Sequence, residues 1–213
     1  MKRLVDGYVK FKTQEFDKLK HRFKLLAEGQ SPHTLFITCS DSRVVPDLIT
    51  QSEPGELFIC RVIGNLVPAH GSALGGVSSA IEYAVMVLGV ENIVVCGHSD
   101  CGAMRAFLHP EKLAPLKAVS AWLEHANMGI TMAKEHHSHL QGNEFLEALT
   151  QENVISQLRN LRTHPCVAAR LRNQKLQLHG WYYNIGTGEV KRFDESRQAF
   201  LPLDADVSVS QAV

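Results

Sequence analysis

The chain has no net charge, since its 22 lysines and arginines balance 22 aspartates and glutamates. Without a broad field of either sign it has nothing to hold nucleic acid or an anionic membrane surface, and small or neutral substrates suit it better. Long apolar runs are missing too: no stretch reaches the roughly 18 apolar residues of a membrane span. Residues Met1 to Lys10 are charged throughout and lack the apolar core of a signal peptide, so secretion is not expected. Cysteine is scarce and odd in number, at five, which does not suit a framework of paired bridges. A reducing, cytoplasmic compartment is the expectation. No repeat, low-complexity segment or linker divides the 213 residues, a length that buries a core without disulfides. A single domain over 1–213 is expected, with 1–30 as an N-terminal helical arm.

What is present has clear periodicity. Leu4, Tyr8, Phe11, Phe16, Leu19 and Phe23 lie at mixed helical spacing and Gly29 follows as a stop, predicting one or two helices over residues 3–28. Leu35–Thr38, after Pro32, and Leu57–Cys60, after Pro54-Gly55, read as short buried strands. Ser79 to Leu88 carries Ile81, Val85 and Leu88 on one helical face, ends at Gly89, and is followed by a third strand over Asn92–Gly97. Helices are predicted from about Gly142 to Arg159 and from His164 to Arg172, then a strand over Leu176–Ile185. A turn at Gly186-Thr187-Gly188 leads to a last strand near Val190–Phe193. Apolar strands separated by helices predict an α/β fold: a mostly parallel central sheet flanked by helices, with the N-terminal arm at one end and a C-terminal edge strand.

Two motifs begin where the first and third strands end, the place where ligands bind in such sheets. One is Thr38-Cys39-Ser40-Asp41-Ser42-Arg43 and the other Gly97-His98-Ser99-Asp100-Cys101-Gly102. Cys39, His98 and Cys101 form a Cys2His set suited to Zn²⁺, and three protein ligands leave a fourth position for water or substrate, as catalytic rather than structural zinc sites do. Asp41 and Arg43, two and four residues past a ligand, border the metal, and an Arg fork can fix one face of the carboxylate. The plain alternative is a surface ion pair, worth little. Cys60, Cys96 and Cys166 read as packed thiols, and His136-His137-His139 as a solvated helix end.

The chain resembles the β-class carbonic anhydrases over nearly its whole length, through C-S-D-S-R, P-G-E-L-F, A-I-E-Y-A, G-H-S-D-C-G and Leu178-His179-Gly180-Trp181. The resemblance implies one zinc per chain on Cys39, His98 and Cys101, and an Asp41–Arg43 dyad. It also implies reversible hydration of CO2 to bicarbonate and a proton by zinc-bound hydroxide, in a homo-oligomer (a dimer or a multiple of dimers) with the site near a subunit interface. By the same resemblance Gln30 is the amide that meets substrate oxygens, Phe58, Ile63 and Tyr83 form an apolar wall for CO2, and Gly102 offers its backbone N–H. His33, Tyr83 and buffer are open alternatives for the proton acceptor, among which the sequence does not decide. Val62 stands where the family usually has Asn. Family members that close the site with the aspartate carry Trp three residues before the first ligand and Gly just before it; Phe36 and Thr38 here, with Gln30, imply the open-site, plant and cyanate-operon-like type. Two other readings remain open: hydrolysis of CS2 or COS on the same site, and a non-catalytic zinc-stabilised assembly, whose mark would be loss of Asp41 or Arg43.

Overall fold

A computed structural model describes residues 1–72 and 75–204, so the last nine positions of the expected 1–213 domain lie outside the described residues. Its strands are β1 (Thr34–Thr38), β2 (Leu57–Arg61), β3 (Asn92–His98), β4 (Gln177–Tyr183), β5 (Val190–Asp194) and β6 (Ala199–Pro202). They form one sheet in the order β2-β1-β3-β4-β5-β6. The first four in that order are parallel, and β5 and β6 are added antiparallel.

The central strand β1 is buried along its whole length, because parallel strands are covered on both faces. Leu35 and Ile37 join Ile93, Val95, Val154 and Leu158 on one face, while Phe36 meets Val94 and Trp181 on the other. This period of two explains why the run shows no polar alternation.

Helices α1 (Lys2–Lys10) and α2 (Phe16–Leu26), joined through a π-helical turn over Phe11–Glu15, make the arm; then come α3 (Pro46–Thr50), α4 (Gly76–Glu82), α5 (Gly102–Ala106), α6 (Lys117–Leu123), α7 (Asn127–His136), α8 (Gly142–Arg162) and α9 (Pro165–Arg172). A π-helical turn over Tyr83–Leu88 extends α4 and closes at Gly89, whose φ of 69° is left-handed. Helix α8 rests close on the sheet over two glycines. A Cβ at Gly97 would lie 2.8 Å from Val154 Cγ2, and one at Gly180 2.9 Å from Leu158 Cδ1, distances that real side chains do not tolerate.

No residue of α1 or α2 is buried. Leu4, Val5, Tyr8 and Val9 stay exposed along α1, so the apolar face of α1 has no cover among the described residues. Among the described residues no helix is long and apolar enough to cross a membrane.

The predicted strands and helices are present, with two corrections. The strand near Val190–Phe193 is not the last: β6 pairs with β5 and stacks Phe200 on Phe193 at 5.4 Å, taking the sheet edge where Pro202 is tolerated. The stretch between the metal-type loop and α8 is also helical (α5, α6, α7), although its helices are short and broken by Pro110 and Pro115, which hides their period.

Candidate metal centre

Thr38 on β1 sits opposite Cys96 on β3, so Cys39 and His98 emerge at the same carboxyl end of the sheet. Cys101 follows at the start of α5. The ligand atoms of Cys39, His98 and Cys101 lie within 4.8 Å of one another and all three residues are buried; among the described residues no other group of His, Cys, Asp and Glu is so placed.

The imidazole is set for a metal. His98 Nδ1 lies 2.8 Å from the Ser99 carbonyl, which can only accept, so Nδ1 carries the proton and Nε2 keeps its lone pair. Nε2 is buried without a hydrogen-bond partner, a costly state that a bound cation relieves. Ser99 is itself tied to β4: its N–H donates to Tyr183 O at 2.9 Å and its Oγ accepts from the Ile185 N–H at 2.9 Å.

The two sulfurs differ. The Cys101 thiol, then the His98 side chain and the backbone N–H groups of Asp41 and Gly64, hold Cys39 well below the ordinary thiol range against its burial; Cys101 is pushed well above it, first by Cys39 and then by burial. Of the two sulfurs Cys39 is therefore the readier to lose its proton, and a metal held there would need both as thiolates.

Asp41 and Arg43 form a two-pronged pair: Arg43 Nε donates to Oδ1 at 3.0 Å and Nη2 to Oδ2 at 2.8 Å, and the Arg43 backbone N–H adds a bond to Oδ1 at 2.9 Å. The guanidinium holds the Asp41 carboxyl well below the usual carboxylate range. Asp41 Oδ2 stands 3.9 Å from His98 Nε2, beside the ligand set. From β2, Arg61 donates to the Asp41 carbonyl at 2.6 Å and to the Cys39 carbonyl at 3.4 Å, fixing the loop's backbone.

Sequence reasoning missed what holds the other wall. The loop after β2, with Gly64 and Asn65 at φ of 68° and 48°, is pinned from α8 and α6. Asn153 Nδ2 donates to Gly64 O at 3.1 Å, Gln157 Oε1 accepts the Val67 N–H at 2.8 Å, Asn160 Nδ2 donates to Val67 O at 2.8 Å and Trp122 Nε1 donates to Ile63 O at 2.9 Å. The available signal was the amide spacing Asn153, Gln157, Asn160 on one helix, beside the apolar Val154, Leu158 and Leu161. Val62 packs against the main core. An apolar cavity of about 390 Å³ opens beside this loop, lined by Cys60, Val62, Ile63, Pro68, Val77 and Trp122 among others.

Of the remaining predicted residues, Ile63 opens the turn that carries Gly64, and Gly102, directly after Cys101, is the first residue of α5. Gln30, Phe58 and Tyr83 do not reach the centre within the chain. Gln30 and His33 precede β1 while Cys39 follows it, about 17 Å of strand away at 3.3 Å per residue. Phe58 pairs with Leu35, well back from the strand end, and packs on Tyr83 at 5.9 Å; both rings are partly exposed. Thr38 is buried and donates to the Cys96 carbonyl at 3.0 Å, and Phe36 meets Trp181 edge-on at 5.7 Å. Cys96 is packed away, its thiol pushed up to about 12 by burial, while Cys60 and Cys166 are only partly buried. The histidine cluster does lie at the end of α7, with His136 and His139 exposed; His136 and His137 also stand 3.7 and 3.4 Å from the Glu152 carboxylate.

Residues 34–190 match the family described as carbonic anhydrase. A carbonic anhydrase of Pseudomonas aeruginosa is 50% identical over 95% of this chain and 92% of its own length. The solved β-carbonic anhydrase CcaA superposes with a TM-score of 0.92 at 43% identity, covering 95% of this chain and 98% of that one. A tetrameric β-carbonic anhydrase from the ascomycete Sordaria macrospora does so with a TM-score of 0.79 at 28% identity, covering 89% and 94%. With half its residues shared across nearly the full length of a relative, and the metal-type centre formed where the two motifs converge, the chain belongs to the β-class carbonic anhydrases.

Proposed function

We propose that this chain hydrates CO2 reversibly to bicarbonate and a proton in the cytoplasm, as a single-domain subunit of a homodimer or multiple of dimers, with one zinc per chain on Cys39, His98 and Cys101. The observation that carries the reading is the buried, unpartnered Nε2 of His98 set among two cysteines and next to an arginine-held Asp41. Zinc held there supplies a Lewis acid that makes water a nucleophile near neutral pH.

The chain's own residues supply the rest. Ser99 fixes the imidazole tautomer. Asp41, kept ionised by Arg43, presents Oδ2 as a hydrogen-bond acceptor beside the centre and so orients the attacking group. Ile63, at the rim of the apolar cavity beside the loop that carries Gly64, offers CO2 an apolar approach, and the Gly102 N–H meets an oxygen of the product. Gln30, Phe58 and Tyr83, remote from Cys39 and partly or fully exposed, complete the site of a second copy, and the uncovered face of α1 grips that copy. Buried Thr38 fills the position where regulated members have Gly, which favours the open-site type.

Stopped-flow comparison of CO2 and CS2 on the zinc-loaded protein tests this reading. CO2 hydration is expected to dominate, and faster turnover of CS2 would reassign the substrate.

A further inference from the structure

Asp100 lies between the ligands His98 and Cys101, with its backbone at a φ of 54°, a left-handed conformation that Asp and Asn tolerate best among side-chain-bearing residues. Its carboxylate bridges two arginines. Arg43 Nη1 donates to Oδ2 at 3.0 Å, and Arg105 reaches Oδ1 from α5 through Nε at 3.2 Å and through Nη2. The Asp100 carbonyl also accepts from Arg43 Nη2 at 3.2 Å. The Arg43 guanidinium is therefore gripped on two sides, with Nε and Nη2 on Asp41 and Nη1 and Nη2 on Asp100.

We propose that Asp100, backed by Arg105, is a positioning residue that clamps Arg43 onto Asp41 and so keeps Asp41 beside the metal position instead of in it. Arg43 cannot swing away from Asp41 without giving up its bonds to Asp100, and Asp100 cannot follow while Arg105 holds it from α5. Asp41 Oδ2, already 3.9 Å from His98 Nε2, is near enough to become a fourth ligand if released. The bland reading is a half-exposed surface ion pair that staples two loops, a kind of contact worth little energetically. That reading leaves the open position unaffected when the pair is cut, whereas the clamp does not.

The proposal rests on the zinc reading above, and its test separates the two. Thiocyanate is titrated into cobalt-substituted protein and followed by visible absorbance, beside CO2 hydration kinetics. The variants are Asp100→Asn, which keeps the left-handed backbone, and Arg105→Met, which leaves the loop's own residues intact. The parental protein binds thiocyanate at the open position. Asp100→Asn retains one metal per chain but binds thiocyanate about 10-fold more weakly, as the released Asp41 competes, and kcat falls by a similar factor with KM unchanged. In an Arg43→Lys background the same substitution adds less than about 2-fold, because its effect runs through Arg43. Arg105→Met shifts thiocyanate binding the same way by about 3-fold, and it decides the matter if Asp100→Asn does not fold.

Unchanged thiocyanate affinity in the folded variants, a fully additive loss with Arg43→Lys, metal loss in Asp100→Asn, or a parental protein that binds no thiocyanate would each overturn the clamp. A parental protein that hydrates no CO2, yet loses thiocyanate affinity on Asp100→Asn, upholds the clamp and refutes the functional reading instead.

Discussion

Asn153 on α8 donates its side-chain N–H to the carbonyl of Gly64 at 3.1 Å across a sequence separation of 89 residues, and Gln157, one turn further along α8, accepts the N–H of Val67 in the same loop as Gly64 at 2.8 Å. Gly64 is the residue whose backbone N–H supports the Cys39 sulfur. A buried helix amide thus reaches the candidate metal centre through one loop.

Replacing Asn153 by Leu keeps the side-chain size but strands the Gly64 carbonyl and leaves Gln157 without the Asn153 Oδ1 acceptor at 2.9 Å. The expected cost is about 1–3 kcal/mol of folding stability, with weaker CO2 hydration from a displaced Ile63 loop. Denaturant unfolding of zinc-loaded protein measures the first part. A variant as stable as the parent would mean that the amide ladder does not hold the loop.

Asp41→Asn keeps the shape of the side chain and removes its charge. Zinc content should stay at one per chain while kcat/KM falls at least ~10-fold, equivalent to about 1.4 kcal/mol of transition-state stabilisation. Parental rates from the zinc-loaded variant would leave the Asp41–Arg43 pair without a part in the reaction.

Deleting α1 and α2 removes the apolar face of α1, which no other described residue covers. Sedimentation should show smaller species, and hydration should be weak because Gln30, Phe58 and Tyr83 no longer meet a neighbouring centre. A fully active monomer would contradict the shared-site arrangement.

Cys96 is fully buried and its thiol is raised to about 12 by burial. In the unfolded chain the thiol ionises near ~8.5. Because the folded value is the higher one, this group's contribution is complete below the unfolded value and is lost as pH rises through the window toward the folded one. Between those limits the fall in stability with pH should be shallower for Cys96→Ala than for the parent, and identical slopes would show that Cys96 is not sequestered.

The positions of the ligands were legible because β1 and β3 are unbroken apolar runs that stop at Cys39 and His98, and parallel pairing then forces both to one end. The amide ladder was not legible. Asn153, Gln157 and Asn160 look like a solvated helix face until the loop backbone that needs them is seen to lie against α8. Asp100 shows the same difficulty, since its partner Arg43 is 57 residues away and only folding brings the two together. Gln30, Phe58 and Tyr83 could be matched by resemblance, but nothing local in the sequence says that a second chain must bring them to the metal.

The most direct measurement is stopped-flow CO2 hydration on protein of known zinc content, parental against Cys39→Ser. The account predicts one zinc per chain and rapid hydration in the parent, with both zinc content and hydration rate falling together in the variant as a soft ligand is lost. Full zinc occupancy and parental rates in Cys39→Ser, or a zinc-loaded parent that leaves CO2 at its uncatalysed rate, would contradict it.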